Sequence, residues 1–448
     1  MKKQILLYFA IFIILLIILN AVFLHFGYND KEEYVVNSRF ITDDSPLTSI
    51  RCSHNCIYPY FQSMFTNIAD SIYTLKIINT IFLLLTTVLL YLTTKKQKTL
   101  LLALTSPIIW YLSTAITPLI ISSFLFFVSY LYLKKNKLIL SGLFLGLTTL
   151  FWDASLFIVP IYLLAFFYNK SVKQLLTITI PAIITFSIRI LFDLIYFNFP
   201  LYSLYRFLGT TYLTLFQMGV WSERIADIPI YNYLLLILII SPLFITLFFH
   251  KKLWKTNKAE LIFIILSLIL FIKIAQPRFM LILFPIAILL LTKTLSKKEL
   301  LIHTVVSLLI IALLLVPIYQ TSQELTETQK DIYQIASDYP NQSFIAGSPS
   351  NTLLSENLAA LYYGDQIDYI IGYQEYTYLK NNECYQTYTL QSYSTLNNLR
   401  QAILTFELCP VEKDYQDFNY LISQEPTTDL EDFELIQEYN TLYLYQLK

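Results

Sequence analysis

Between residues 5 and 318 the chain carries one uninterrupted apolar run after another, several as long as the roughly 18 to 20 residues an α-helix needs to cross a bilayer. Runs of that length bury their backbone polar groups only as helices, and lipid is the solvent that suits their side chains. Only 14% of the residues are charged, against roughly 25% in soluble domains. An ordinary cytosolic enzyme is excluded, and a polytopic membrane protein is expected.

The first run, Ile5 to Phe26, follows Lys2 and Lys3. It is too long for a signal-peptide core and lacks a small-residue cleavage site, so it reads as a retained signal-anchor helix. Further spans are expected near residues 72–92, 99–113, 117–133, 138–152, 154–168, 175–197, 229–249, 259–275, 279–292 and 300–318, about eleven in all. With the N-terminus inside, the inner segments hold seventeen lysines, whereas the outer connections before Tyr319 hold six basic residues. That alternation follows the positive-inside rule and puts the segment after Tyr319 outside. The formal net charge of zero conceals a division: 26 basic and 12 acidic residues precede Tyr319, and 5 basic and 19 acidic residues lie from it onward. A basic membrane domain, residues 1–318, is therefore expected before an acidic extracytoplasmic domain, residues 319–448.

Cysteine placement agrees with this topology. Cys52 and Cys56 fall in the first outer loop and Cys384 and Cys409 in the tail, so both pairs are disulfide candidates in an oxidising exterior. A metal site at Cys52-Ser-His54-Asn-Cys56 is the rival reading, but three ligands within five residues are cramped and no fourth is evident. The tail itself reads as a small α/β domain. A helix from Ser322 to Asp338 is expected, then strands at Ser343–Ala346 and Ile367–Ile371 around a Ser350–Tyr362 helix. A helix near Asn397–Phe406, a strand at Tyr420–Ser423 and a closing hairpin, Phe433–Gln437 with Leu442–Leu447, complete it. Gly347-Ser-Pro-Ser350 could bind an anion at a helix N-terminus, although a plain Ser350 cap is the simpler reading. The sequence holds no Gly-rich phosphate fingerprint and no repeat of fixed period.

Ionisable groups inside membrane spans are costly and mark candidate sites. Arg189 and Asp193 lie one helical turn apart near the outer end of one span, Asp153 at an outer turn, Lys273 at the outer end of another span with Arg278 just beyond, and Lys76 at an outer entrance. All six gather at one face, which fits an outward-facing site at the membrane surface better than an ion conduit through the midplane. For Arg189 and Asp193 the alternative is mutual neutralisation between helices; for Arg278 it is an interface anchor, and Lys76 reads as snorkelling. Aromatics between Asn198 and Ile228 suit either a sugar platform or an interfacial belt.

Asp30-Lys-Glu32-Glu33-Tyr34 directly follows the first apolar helix. Tyr58-Pro-Tyr60, the run from Leu75 to Leu85 with Tyr91, Ser106-Pro107, Ser141-Gly142-Leu143-Phe144-Leu145-Gly146-Leu147, and Pro277-Arg278-Phe279 with Pro285 come after it in that order. In order and topology these segments, spread over most of residues 5–318, resemble the GT-C superfamily of glycosyltransferases, particularly its protein O-mannosyltransferase and aminoarabinose-transferase-like branch. The resemblance implies an all-α polytopic membrane domain of GT-C type with a C-terminal extracytoplasmic α/β domain. It implies inverting transfer of a sugar from a polyprenyl-phosphate donor to a protein, lipid or glycan acceptor outside the membrane, with no nucleic acid involved. An acidic residue of the first outer loop is the family's catalytic base, which matches Glu32 or Glu33, or Asp30 in another register. Arg189, Lys273 and Arg278, with Asp153 and Asp193, are the candidates for holding the lipid phosphate and substrate. No metal ligand is identified, although a divalent metal is possible in such a family. Members often carry a second acidic residue after the third span; here Ser113-Thr-Ala-Ile-Thr117-Pro118 has none. Two other readings stand beside transfer: a transporter or lipid flippase, and an inactive membrane anchor whose outer domain binds partners.

Overall fold

The computed structural model describes residues 2–23, 31–41, 56–66, 71–197, 200–204, 207, 242–274, 277–347, 366–382, 385–386, 407–408, 414–424, 426 and 432–448. It is mostly helical with a small sheet near the C-terminus. In chain order the helices are α1 (Lys2–Val22), α2 (Lys31–Ile41), α3 (Ile57–Thr66), α4 (Ser71–Thr94), α5 (Gln97–Leu104), α6 (Pro107–Ser113), α7 (Pro118–Lys134), α8 (Leu138–Phe151) and α9 (Ser155–Phe167). They continue as α10 (Val172–Phe186), α11 (Ile188–Phe197), α12 (Pro242–Phe249), α13 (Lys251–Thr256), α14 (Lys258–Ile274), α15 (Phe284–Thr294), α16 (Lys297–Asp338) and α17 (Tyr373–Lys380). Two compact units divide the chain: Met1–Leu24 with Leu75–Tyr319, and His25–Thr74 with Gln320–Lys448.

In the first unit, local chemistry sets the helix limits. Pro107 has no N–H to give a preceding turn, so the segment expected as one span over 99–113 is two helices, α5 and α6, with the break at Thr105 and Ser106. Thr117 caps α7, accepting from the Leu119 N–H at 3.3 Å, and Pro118 occupies the first turn. Asn136, at φ 57°, takes the left-handed conformation in the short link to α8. The segment expected over 175–197 is covered by α10 and α11, which meet at Ser187 in helical backbone conformation and together make one apolar stretch.

Three stretches among the described residues are long and apolar enough to cross a membrane: Thr74–Thr94, Val172–Tyr196 and Lys297–Asp338. Shorter apolar helices cover Phe9–Val22, Pro118–Lys134, Leu138–Phe151, Ser155–Phe167 and Phe284–Thr294. About eleven spans, some short enough to be tilted or re-entrant, are expected from the sequence; the described residues do not confirm that number, and the span near 229–249 lies largely outside them. Leucine and isoleucine side chains stand exposed along these helices, for example Ile17, Ile183 and Leu313, as hydrocarbon contact requires and water would disfavour.

Packing inside this unit is close. A Cβ built on Gly142 would lie 2.2 Å from the Ile178 carbonyl oxygen, and one on Gly146 would lie 2.4 Å from that of Ala182, so α8 approaches α10 at a separation only glycine permits. Across α7 and α8, Ser129 and Ser141 exchange hydrogen bonds, each hydroxyl donating to the other's backbone carbonyl at 2.8 and 2.9 Å.

The second unit pairs a two-helix segment with an α/β domain. In the former, α2 packs on α3, with the Tyr34 and Tyr58 rings edge to face at 5.0 Å. Neither helix was expected in what reads as an outer loop. In the latter, β1 (Ser343–Ala346), β2 (Tyr369–Gly372), β5 (Tyr420–Ser423), β6 (Phe433–Glu438) and β7 (Tyr443–Leu447) form a sheet of order β2-β1-β5-β7-β6. β1 lies parallel to β2 and β5, and the last three strands are antiparallel, with a bulge between Leu435 and Gln437. Ile345, Ile371, Tyr376, Phe418, Leu421, Phe433 and Tyr445 make its core. A separate ribbon pairs β3 (Tyr385–Gln386) with β4 (Glu407–Leu408).

The helix expected to begin at Ser322 is instead the last part of α16, which runs unbroken for 42 residues through Pro317. Its buried Asp331 accepts from the Thr441 N–H and hydroxyl, at 2.5 and 2.7 Å, and so fixes the β6–β7 turn. The expected helices at Ser350–Tyr362 and Asn397–Phe406 lie outside the described residues. So do Cys52, Cys384 and Cys409, whereas Cys56 is disulfide-bonded.

Candidate functional site

Within the first unit, three of the ionisable residues singled out from the sequence meet. Arg189 and Asp193 fall four residues apart on α11 and therefore share a face. Asp153 occupies the turn between α8 and α9. Arg189 donates through Nη1 to Asp153 Oδ1 in a short ion pair, and both side chains are 2% exposed. The same guanidinium donates through Nε to Ser203 Oγ at 2.6 Å. Ser203 in turn donates from its hydroxyl to Asp193, 2.6 and 2.8 Å from its two carboxylate oxygens, and from its backbone N–H at 3.2 Å. Arg189 and Asp193 are thus joined through a hydroxyl, whereas Asp153 meets the guanidinium directly. Ser203, fully buried, is the member that sequence reasoning missed; serine carries no charge to mark it.

An aromatic contact ties this cluster to Arg278. Trp152, next to Asp153, meets Phe279 edge to face with ring centroids 4.8 Å apart, and Phe279 also packs on Phe271 at 5.7 Å. Arg278 sits in the 3₁₀ turn Pro277–Ile282, half-buried, with its guanidinium carbon 5.7 Å from the Phe279 ring centre. Ser123 on α7 donates to the Leu281 carbonyl at 2.8 Å and holds the turn from the other side. Lys273 lies in the last turn of α14, placed by its backbone alone.

Lys76 does not snorkel. It is 2% exposed, and its ammonium donates to the Phe23 carbonyl just past the end of α1, at 2.5 Å. One turn further along α4, Asn79 donates to the Ala115 carbonyl at 2.9 Å. Ala115 belongs to the segment where the family resemblance led us to look for a second carboxylate. There the structure has buried Ser113 and Thr114, whose hydroxyls donate to the Trp110 and Tyr111 carbonyls at 2.7 and 2.9 Å.

In the second unit, Glu32 and Glu33 stand in the first turn of α2, where the exposed N–H groups of a helix start favour negative charge. Only their backbone is described, and Asp30 lies outside the described residues. Among the described residues no three His, Cys, Asp or Glu side chains gather as a metal ion would require.

A second buried ionic cluster in the first unit also escaped the sequence reading. Glu260, on the first turn of α14 and 3% exposed, pairs with Lys134 and accepts from the Tyr130 hydroxyl at 3.0 Å. The Lys134 ammonium lies 5.4 and 5.5 Å from the Tyr130 and Phe166 ring centres. The signal was available: Glu260 opens an otherwise apolar run.

No family model matches the chain, and no curated protein matches it. A crystal structure of ArnT from Cupriavidus metallidurans, bound to undecaprenyl phosphate, aligns with a TM-score of 0.63 at 10% sequence identity, covering 99% of this chain and 98% of that one. The chain therefore shares the fold of that structure over nearly its whole length, the likeness to which the order of its short segments pointed.

Proposed function

We propose that this protein is a membrane glycosyltransferase of GT-C type that transfers a sugar from a polyprenyl-phosphate donor to an acceptor on the outer side of the membrane. The observation that carries the reading is end-to-end similarity of fold to a structure that holds undecaprenyl phosphate. In this reading the N-terminus is inside, the α/β domain is outside, and the protein resides in the cell membrane.

The chemistry needs a base, and Glu32 or Glu33, with Asp30 as the alternative register, is our candidate. A carboxylate there accepts the proton of the acceptor hydroxyl as its oxygen attacks the anomeric carbon; the bond to the lipid phosphate breaks, and direct displacement inverts the centre. The departing phosphate carries the electron pair away and needs cations. Arg189 already answers Asp153 and, through Ser203, Asp193, which suits it to bracing the turn beside Arg278 rather than to meeting a phosphate. Arg278 and Lys273 are the better candidates for that contact, the first through a planar fork and the second as a point charge. The segment Ser113–Thr117 offers hydroxyls and carbonyls but no carboxylate, a donor set that does not fit a divalent metal.

Transfer from an undecaprenyl-phosphate hexose, measured with Glu32→Gln, Glu33→Gln and the double variant, tests the base. Loss of about 10²-fold or more in turnover, with folding retained, is expected for the variant that removes it. Undiminished turnover in all three would refute the assignment. The lack of a carboxylate in Ser113–Thr117 favours one rival, an inactive anchor whose acidic domain binds partners; wild-type turnover separates the two.

A further inference from the structure

Gln62 on α3 is fully buried, yet neither its amide nitrogen nor its amide oxygen finds a hydrogen-bond partner among the described residues. Buried amides are almost always satisfied, so an orphan on both sides of one calls for an explanation. Nearby hydroxyls do not supply one. Ser63 donates to the Tyr60 carbonyl and Ser38 to the Val35 carbonyl, each at 2.7 Å within its own helix. Gln62 follows Tyr58 by four residues and so shares its helix face, and Tyr58 is the ring against which Tyr34 of α2 packs. Tyr34 directly follows Glu33 in the chain. A side-chain amide that presents both a donor and an acceptor matches a pair of neighbouring sugar hydroxyls, each able to give and to take a hydrogen bond. The Tyr58 ring, on that same helix face, suits the apolar face of the same sugar.

We propose that Gln62 is a sugar-recognition residue, its amide binding two ring hydroxyls of the transferred hexose. The inference rests on the transferase reading above and deepens it by assigning a contact to the sugar rather than to the lipid phosphate.

The test compares the full-length wild type with Gln62→Leu, which keeps a branched side chain of similar volume but removes both polar atoms, in lipid nanodiscs. The probes are undecaprenyl phosphate and undecaprenyl phosphate carrying glucose, mannose or galactose. We expect the wild type to bind at least one glycosylated lipid more tightly than the bare one. In Gln62→Leu that affinity falls about tenfold or more, as loss of a hydrogen-bonded polar contact implies, while affinity for the bare lipid and the thermal midpoint without ligand stay unchanged or the midpoint rises. Equal binding of glycosylated lipid by both proteins, or no preference for sugar in the wild type, would overturn the proposal and leave a trapped water as the partner of Gln62. A lowered midpoint without ligand would overturn it too, showing the amide to be structural. Binding of neither lipid by the wild type would instead sink the transferase reading, and this inference with it.

Discussion

Two buried carboxylate–cation clusters occupy the helical unit, and they are built differently. In the Arg189 cluster both charged partners are enclosed, at 2% exposure each, and the guanidinium also donates to Ser203, whose hydroxyl answers Asp193. In the Glu260 cluster only the acid is enclosed; Lys134 remains 46% exposed and keeps access to solvent or lipid headgroups, while the Tyr130 hydroxyl answers the carboxylate. Their positions along the helices differ as well. Glu260 lies in the first turn of α14, whereas the turn holding Arg278 and Phe279 follows that helix's far end, some 20 Å away at about 1.5 Å per residue. A closed ion pair loses heavily when one partner is removed, because the other is left charged in a poor solvent; a half-open pair can rehydrate.

That contrast can be broken by substitution. The largest effect is expected for Arg189→Met, which strands Asp153 and leaves Asp193 without its through-serine partner. Breaking a buried pair costs about 3–5 kcal/mol, so detergent-solubilised protein should unfold at a much lower temperature, and Asp153→Asn in the same chain should recover part of the loss. A melting curve equal to that of the wild type would show that the pair is not closed. Glu260→Gln should cost less, about 1–2 kcal/mol, since Lys134 is free to turn outward and the amide still accepts from Tyr130. If this variant were the more damaging of the two, the ranking by enclosure would be wrong.

The smallest effect is expected at an exposed pair in the α/β domain, Lys380 with Asp432, joined at 2.5 Å. The hydrogen bond that Lys380 donates to Asp432 raises the Lys380 pKa above its ordinary value of 10.5. A raised folded-state pKa gives stability that is complete below about 10.5 and fades as pH climbs through the higher value. Solvent screening keeps it small, so Lys380→Ala should lower stability by less than about 0.5 kcal/mol at pH 7. The difference from wild type should shrink as the medium becomes strongly alkaline; a difference that grew with pH would contradict the assignment.

How far these features could be read in advance depends on which physical signal carried them. The i, i+4 spacing of Arg189 and Asp193 announced a shared helix face, and strand Tyr420–Ser423 was legible from its apolar pattern to the residue. Lys76 was misjudged because its spacing from the span end suits snorkelling equally well; only the Phe23 carbonyl, released where α1 stops, explains its burial. The continuity of α16 was hidden by the change from apolar to polar residues near Tyr319, which reads as a boundary although Pro317 does not end the helix. Helix α2 was obscured by its own composition: Asp30 to Glu33 looks like a solvated cap, yet Tyr34 to Ser38 are buried on every side. Ser203 and the meeting of Trp152 with Phe279 arise from tertiary packing between segments far apart in the chain, and no local pattern records such contacts.

The edge-on meeting of Trp152 and Phe279 has a practical reach. Each ring neighbours a charged residue along the backbone, Asp153 on one side and Arg278 on the other. Shrinking either ring would therefore shift a cation relative to an acid without altering any formal charge, and such a change would be invisible to a survey that scored ionisable positions alone. The placing of the Arg278 guanidinium relative to the Asp153 carboxylate is in that sense governed as much by a wedge of hydrocarbon as by the charges themselves.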